Sequence, residues 1–136
     1  MSKYILSIED NANDIQLMRR IFNKDIPNVE IRHINNGEEA LKIMKERNFL
    51  ADAPSLVLLD IKMSGINGLD LLKQIKNNDS LRAIPIVIFS SSVQLSDLQR
   101  AYELSVNSYI EKPKDFQQLK ETLKTITKYW LDLNKN

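Results

Sequence analysis

Five short apolar runs, spaced regularly along the chain, constrain the fold more strongly than any other feature of the sequence. They are strand-sized and occupy residues 4–8, 29–34, 56–59, 86–89 and 108–110. The stretches between them place apolar residues three and four positions apart, which is typical of helices with one buried face. Strict alternation of strand and helix predicts an α/β chain with a parallel sheet, helices on both faces and right-handed crossovers.

The apolar content of each run predicts its place in the sheet. Residues 4–8, 56–59 and 86–89 are almost continuously apolar, as in strands that are covered on both faces. Residues 29–34 mix apolar and charged side chains, and residues 108–110 form a brief run, so both are expected at the sheet edges. The prediction is a doubly wound (βα)5 sheet with the strand order 2-1-3-4-5.

Capping signals mark two helix starts, and an apolar stripe predicts a long last helix. Asn36 is followed three residues later by Glu39, and Asp115 by Gln118, as in capping boxes. The last helix is expected to continue to about Leu133. Its inward stripe consists of Leu119, Leu123, Ile126 and Trp130.

The composition of the chain excludes several classes of site. Its 136 residues suit one domain, which is predicted to span residues 1–136. The 19 basic and 18 acidic side chains give a net charge of +1, so neither nucleic acid nor an anionic membrane is an expected partner. The chain has no cysteine and a single histidine, which leaves a hard metal ion bound by oxygen as the remaining metal option.

Neither a signal peptide nor a membrane span is recognisable in the sequence. The first apolar run is short and leads directly into Glu9 and Asp10, which is unlike a secretory leader. No apolar run approaches the roughly 20 residues that cross a bilayer. We therefore expect a cytoplasmic protein.

Charged and polar side chains follow the strands at the edge of the sheet where ligands bind in this architecture. Strand one is followed by Glu9 and Asp10, strand three by Asp60 and strand five by Lys112, and strand four is followed by Ser90. Carboxylates in one crevice repel each other by up to about 4 kcal/mol per pair, so a cation must offset them. Bound Mg²⁺ together with the Lys112 ammonium would equip Asp60 to accept a phosphoryl group.

Three motifs in a fixed order carry a family resemblance. They are Ile-Glu-Asp-Asn at residues 8–11, Leu-Leu-Asp-Ile-Lys-Met at 58–63 and Tyr-Ile-Glu-Lys-Pro at 109–113. At these spacings, nearly the whole chain resembles the receiver domains of response regulators. The resemblance implies a flavodoxin-like receiver fold and a phosphorylation-dependent switch in two-component signalling.

The resemblance also implies roles for individual residues. Asp60 would accept a phosphoryl group from a sensor histidine kinase or a phosphotransfer protein, and Lys112 would bind that group. Ser90 and Tyr109 would form a switch pair, in which the Ser90 hydroxyl moves inward and the Tyr109 ring turns away from solvent. The ligands of Mg²⁺ would be Glu9, Asp10, Asp60 and the backbone carbonyl of Lys62.

Three positions depart from the usual receiver pattern. Glu9 stands where many receivers have aspartate, and its longer side chain can still reach a metal through water. Ser64 stands where proline is usual, which leaves the loop after strand three less restricted. Ser105 stands where glycine is common and lacks the free access of glycine to positive φ. By the same resemblance, the bond between Lys112 and Pro113 is expected to be cis.

The absence of a recognisable output domain predicts that the chain acts through protein contacts. In this it looks like the short regulators that accompany phytochrome-type kinases, and the sequence does not identify its downstream protein partner. The apolar end of the last helix predicts a homodimer through helix four, strand five and helix five. The alternative is that Tyr129 and Trp130 fold back over the edge of the N-terminal strand.

Three other functions fit parts of the pattern. A flavodoxin-like electron carrier would share the strand order, but Glu9 and Asp10 would repel its phosphate. An aspartyl-nucleophile phosphatase would need a carboxylate two residues after Asp60, where Lys62 stands. A receiver-fold scaffold that binds partners without phosphorylation stays open. The sequence favours a phosphoacceptor that assists its own phosphorylation and dephosphorylation over a conventional enzyme.

Overall fold

The chain folds into a parallel sheet with helices on both faces, and the computed structural model describes residues 3–135. The five strands lie in the order β2-β1-β3-β4-β5, as predicted, and all pairs are parallel. The strands are β1 (Tyr4–Ile8), β2 (Glu30–Ile34), β3 (Leu56–Leu59), β4 (Ile86–Ser90) and β5 (Ser108–Glu111). The helices are α1 (Ala12–Asp25), α2 (Gly37–Met44), α3 (Gly68–Lys76), α4 (Leu95–Glu103) and α5 (Phe116–Thr127).

The side chains of the central strands point alternately to the two faces of the sheet and contribute to two hydrophobic cores. On β1, Ile5 packs into a core with α1 and α5, while Leu6 and Ile8 pack into a second core with α2, α3 and α4. Successive side chains of a strand point to opposite faces, so a strand between two cores is apolar at nearly every position. The edge strands β2 and β5 are only partly buried, which explains their mixed or short sequences.

Asparagine and aspartate side chains fix the starts of four helices. Each accepts a hydrogen bond from the backbone N–H three residues later, and they are Asn11, Asn36, Asn67 and Asp115. The starts predicted at Asn36 and Asp115 are confirmed. A cap of this kind stabilises its helix by about 1 kcal/mol.

The end of the last helix differs from the prediction. The α-helix stops at Thr127 and is continued by a π-helical segment, Lys128–Leu133. A π turn is wider than an α turn, so the inward position moves by one residue. Leu131 is buried there, while Trp130 is only half-buried; the rest of the predicted stripe, Leu119, Leu123 and Ile126, is buried. Neither this helix nor another within residues 3–135 is long and apolar enough to cross a membrane.

The π-helical segment is tied to the residue that precedes β1 and to one of the two cores. Lys3 Nζ donates a hydrogen bond to the Leu131 carbonyl at 2.5 Å, and Trp130 packs against the core shared by α1 and α5. Tyr129 and Leu133 are 48% and 59% exposed. Trp130 is thus partly covered by this chain, whereas Tyr129 and Leu133 remain on the surface.

Candidate functional site

The carboxyl ends of the strands bring polar side chains to one edge of the sheet. Backbone pairing continues one residue beyond the strands: Asp60 N donates to the Ile8 carbonyl at 3.1 Å, and Lys112 N donates to the Ser90 carbonyl at 2.8 Å. These bonds fix where the chain leaves β3 and β5. The side chains of Asp60 and Lys112 consequently enter the same crevice, which is where the sequence places them.

The Lys112 ammonium contacts three carboxylates in this crevice. Its Nζ lies 2.5 Å from Glu9 Oε1, 2.8 Å from Asp14 Oδ2 and 3.5 Å from Asp60 Oδ2. The side chains of Lys112, Glu9 and Asp60 are only 9%, 3% and 11% exposed. Removing one member of such a buried cluster leaves an uncompensated charge, so the cluster holds its members in place.

Burial and ion pairing shift the pKa values of Glu9 and Lys112, the two most buried members of this cluster. Burial raises the pKa of Glu9 to about 7, although the hydrogen bond and positive charge of Lys112 oppose the rise. Burial by itself lowers the pKa of Lys112, but hydrogen bonds to Asp14 and Glu9 and the charge of Asp60 raise it above its ordinary value. Lys112 therefore stays an ammonium at neutral pH, while Glu9 can exchange a proton there.

The peptide bond between Lys112 and Pro113 is trans, so the expectation of a cis bond is wrong. Within residues 3–135 the structure contains no cis peptide bond. The Lys112 side chain reaches the crevice because its backbone N–H bonds to the Ser90 carbonyl and keeps the residue in register with β4.

Asp60 is held by its own loop and by the start of α3. Its Oδ1 accepts the Ile61 backbone N–H at 2.8 Å, which leaves Oδ2 facing Lys112. Gly68, the first residue of α3, lies so close that a Cβ atom there would approach the Asp60 carbonyl oxygen to 2.1 Å. Only glycine permits this approach, and it brings the start of α3 against the backbone of Asp60.

Asp10 turns toward the loop that follows Asp60. Its Oδ2 accepts the Ser64 backbone N–H at 2.9 Å and the Ser64 hydroxyl at 3.1 Å. The same loop is tied to α2, because Glu38 Oε1 accepts the Ile66 backbone N–H at 2.8 Å. Asp10 is half-buried, and Ser64 is exposed.

The donor chemistry of the crevice suits a divalent cation, but no cluster of three ligating side chains is preformed there among residues 3–135. Carboxylate oxygens are the ligands that Mg²⁺ and Mn²⁺ prefer. As arranged, no three acidic or histidine side chains within the described part of the chain converge on one ion position. Glu9 is engaged by Lys112 and Asp10 by Ser64. Lys62, the proposed carbonyl ligand, lies in the exposed loop after Asp60.

The residues predicted to form a switch lie beside the crevice and share a third residue, Ser92. Ser90 Oγ accepts a hydrogen bond from the Ser92 backbone N–H at 3.2 Å. The hydroxyl of the half-buried Tyr109 donates a hydrogen bond to the Ser92 carbonyl at 2.7 Å. The Ser92 hydroxyl donates to Asp97 Oδ2 at 2.8 Å. The structure thus connects the half-buried Tyr109 to α4 through Ser92 and Asp97.

Sequence reasoning missed three residues of the site: Asp14, Gly68 and Ser92. Asp14 carries a recognisable signal, because a carboxylate three residues after the cap Asn11 is favoured by the helix dipole. That signal does not predict its contact with Lys112, which is 98 residues away in the sequence. Gly68 acts through its backbone, and Ser92 contacts Ser90 and Tyr109 through its backbone, so side-chain chemistry gives no sign of these contacts.

Comparison with known proteins gives the family of the chain. The chain matches the response regulator receiver domain over residues 5–124. It is 37% identical over 133 residues to the probable methanogenesis regulatory protein FilR2 of Methanothrix harundinacea, with 97% of this chain and 86% of that protein covered.

Two solved structures are similar over nearly the whole chain. The phosphorylated cyanobacterial phytochrome response regulator RcpA has a TM-score of 0.89 and 31% identity, covering 99% of this chain and 98% of its own. The Mn²⁺-bound form of the response regulator Rcp1 has a TM-score of 0.85 and 27% identity, covering 98% and 97%.

Fold, site and relatives together define the class of the protein. The chain belongs to the response regulator receiver domain family of two-component signalling and is related to phytochrome response regulators. Members of this family are phosphoacceptor signalling proteins rather than conventional enzymes.

Proposed function

We propose that this chain is a signalling switch in which Asp60 accepts a phosphoryl group with Mg²⁺ bound beside it. The observation that carries the proposal is the position of Lys112, whose Nζ lies 3.5 Å from Asp60 Oδ2 inside a buried crevice. A fixed ammonium at this distance stabilises the negative charge that a phosphoryl group brings to Asp60. Membership of the receiver family supports the same role.

The donor is a phosphohistidine on a sensor histidine kinase or a phosphotransfer protein. Asp60 Oδ2 attacks phosphorus, a P–O bond forms, and the P–N bond to the histidine ring breaks. The imidazole leaves with the electron pair of that bond and takes up a proton. Oδ2 suits this step because Oδ1 already accepts the Ile61 N–H. Lys112 then donates to a phosphoryl oxygen. The similarity to RcpA supports a phytochrome-type kinase as the donor.

The metal ligands in this proposal are Glu9, Asp10, Asp60 and the backbone carbonyl of Lys62. When bound, the ion would offset the charge of the carboxylates and of the phosphoryl oxygens. The Mn²⁺-bound form of Rcp1 supports a divalent-metal site in this chain.

We propose that the structural effect of phosphorylation is transmitted from Ser90 to Tyr109 through Ser92. A phosphoryl oxygen on Asp60 attracts the Ser90 hydroxyl, whose oxygen also accepts the Ser92 N–H. A shift of Ser90 therefore alters the backbone of Ser92, and the Ser92 carbonyl is the anchor of the Tyr109 hydroxyl. Phosphorylation would bias this element between two arrangements.

The protein contact that Ser90, Ser92 and Tyr109 are proposed to regulate is a homodimer through α4, β5 and α5. Leu95 and Tyr102 on α4 are 70% and 52% exposed, and Tyr129 and Leu133 follow α5 with similar exposure. Exposed apolar patches favour an interface, and a two-fold dimer is the commonest closed assembly.

Sedimentation velocity tests the dimer. Wild type is expected to dimerise at tens of micromolar, and the double variant Tyr129→Ser, Leu133→Ser to sediment as a monomer. Leu50→Ser, which removes another exposed leucine far along the chain, serves as the control. If wild type stays monomeric with and without beryllofluoride, the dimer proposal fails.

Phosphorylation by acetyl phosphate, followed by intact-mass measurement, tests the function. Wild type should gain one phosphoryl group with Mg²⁺ and none with excess chelator, and Asp60→Asn should gain none. Asp79→Asn is the matched control, since that aspartate is exposed on the surface. Normal phosphorylation of Asp60→Asn would favour another acceptor, and no phosphorylation of wild type would favour the non-phosphorylated scaffold.

A further inference from the structure

Ser64 uses two donors on a single oxygen of Asp10. The backbone N–H and the hydroxyl of Ser64 lie 2.9 Å and 3.1 Å from Asp10 Oδ2. Hydrogen bonds to an ionised carboxylate are stronger than bonds between neutral groups, and two of them fix the orientation of the carboxylate. A proline at position 64 could make neither bond, because it lacks both the N–H and the hydroxyl.

The loop that carries Ser64 is fixed on its other side by α2. Glu38 Oε1 accepts the Ile66 N–H at 2.8 Å. Gly65 has a φ of 80°, and a Cβ atom there would come within 2.6 Å of the Glu38 carboxylate. Glycine allows this close contact and this backbone conformation. Ser64 is therefore presented to Asp10 by a loop with a defined path.

Both bonds from Ser64 fall on the same oxygen of Asp10, Oδ2. No cluster of three acidic or histidine side chains is preformed among residues 3–135. A cation that binds Oδ2 would replace the two Ser64 donors on that oxygen. Ser64 and a cation would therefore compete for Oδ2.

We propose that Ser64 is a positioning residue that competes with a divalent cation for Asp10. It lowers the affinity of the site and couples metal binding to release of the loop after Asp60. This inference rests on the proposed function, because it takes Asp10 as a ligand of the cation. The hydrogen bonds between Ser64 and Asp10 exist only in the metal-free state and are broken when the cation binds. By thermodynamic linkage, they weaken cation binding by their own free energy.

Calorimetric titration with MgCl2 alone tests the competition. Ser64→Pro removes both donors and should bind Mg²⁺ about tenfold more tightly than wild type, and Ser64→Ala, which keeps the N–H, about threefold. Ser64→Thr keeps both donors and should match wild type. Ser91→Ala changes an exposed serine elsewhere at this edge of the sheet and should also match it.

The Ser64 amide resonance gives a readout that is independent of affinity. In wild type it should shift on addition of MgCl2 with the same midpoint as the calorimetric titration, because its acceptor leaves. Unchanged or weaker Mg²⁺ binding by both Ser64→Ala and Ser64→Pro, or an amide that does not respond, would overturn the competition while leaving the metal site intact. If Asp10→Asn binds Mg²⁺ as wild type does, the metal ligands of the proposed function are wrong and the competition falls with them.

Discussion

The two sides of the crevice are built in different ways. On the Lys112 side, the ammonium and its partners Glu9 and Asp60 are almost completely buried, and the Lys112 Nζ atom lies 2.5 Å from Glu9 Oε1 and 3.5 Å from Asp60 Oδ2. On the Asp10 side, a half-buried carboxylate is held by Ser64, an exposed residue of a loop.

This difference separates a rigid part of the site from an adjustable one. A buried ion cluster rearranges only when another charge, such as a bound cation, compensates the one it would leave unpaired. An exposed hydrogen bond can exchange with water at a cost of about 1 kcal/mol. The ammonium that would stabilise a phosphoryl group therefore lies on the rigid side, and Asp10, the proposed cation ligand held by Ser64, lies on the adjustable side.

The largest expected effect on stability comes from removing the Lys112 ammonium at the centre of the buried cluster. Lys112→Met leaves Glu9 and Asp60 buried without their cation, so the free energy of unfolding at pH 7 should fall by about 3 kcal/mol. Urea unfolding measures this change. Lys114→Met is the control, because Lys114 is exposed two residues later. A loss below about 1 kcal/mol would mean that the cluster is not tightly coupled.

A smaller effect of the rigid side is a dependence of stability on pH. The folded-state pKa of Glu9 is raised to about 7 from an ordinary value of 4.5. Between these values the folded chain binds more protons than the unfolded chain, so this stabilisation is complete below pH 4.5 and is lost as pH rises through 7. The contribution of Glu9 should fall by about 2 kcal/mol between pH 5 and pH 7.

Glu9→Gln isolates this contribution, because glutamine does not titrate. Urea unfolding of both proteins at pH 5, 6 and 7 should show the excess decline in wild type alone. Parallel curves for the two proteins would contradict a raised pKa at Glu9.

The smallest effect lies at the rim of the cluster, where Asp14 is 31% exposed. Partial solvation weakens its ion pair with Lys112, so Asp14→Asn should destabilise the fold by about 1 kcal/mol. Asp70→Asn is a matched control, because Asp70 occupies the equivalent position after the cap Asn67 at the start of α3. Equal losses for the two variants would assign the effect to the helix dipole instead of the ion pair.

The strand order could be predicted because the burial of each strand produces a local pattern of apolar residues in the sequence. Residues 4–8 and 56–59 are almost continuously apolar since each strand lies between two cores, and this pattern is local. The π-helical end of the last helix could not be predicted, because the stripe through Leu123 and Ile126 suits an α-helix equally well. The contact of this segment with Lys3 and the packing of Leu131 and Trp130 against the core shared by α1 and α5 are long-range effects.

The candidate site was predictable where strand ends determine it. Glu9, Asp60 and Lys112 each follow a strand, and parallel pairing alone brings them to one edge. Asp14 and Ser64 lie within a helix and a loop, so their contacts depend on three-dimensional distances that the sequence pattern does not contain. Conversely, the trans bond before Pro113 shows that a residue pattern shared with a family does not fix local backbone geometry.

Chemical identification of the phosphorylated residue decides whether Asp60 is the phosphoacceptor. Wild type is treated with acetyl phosphate and MgCl2, reduced with borohydride, which converts an aspartyl phosphate into homoserine, then digested and sequenced by mass spectrometry. Homoserine is expected at position 60 alone, and none is expected when MgCl2 is replaced by chelator. Homoserine at another aspartate, with position 60 unmodified, would show that Asp60 is not the acceptor.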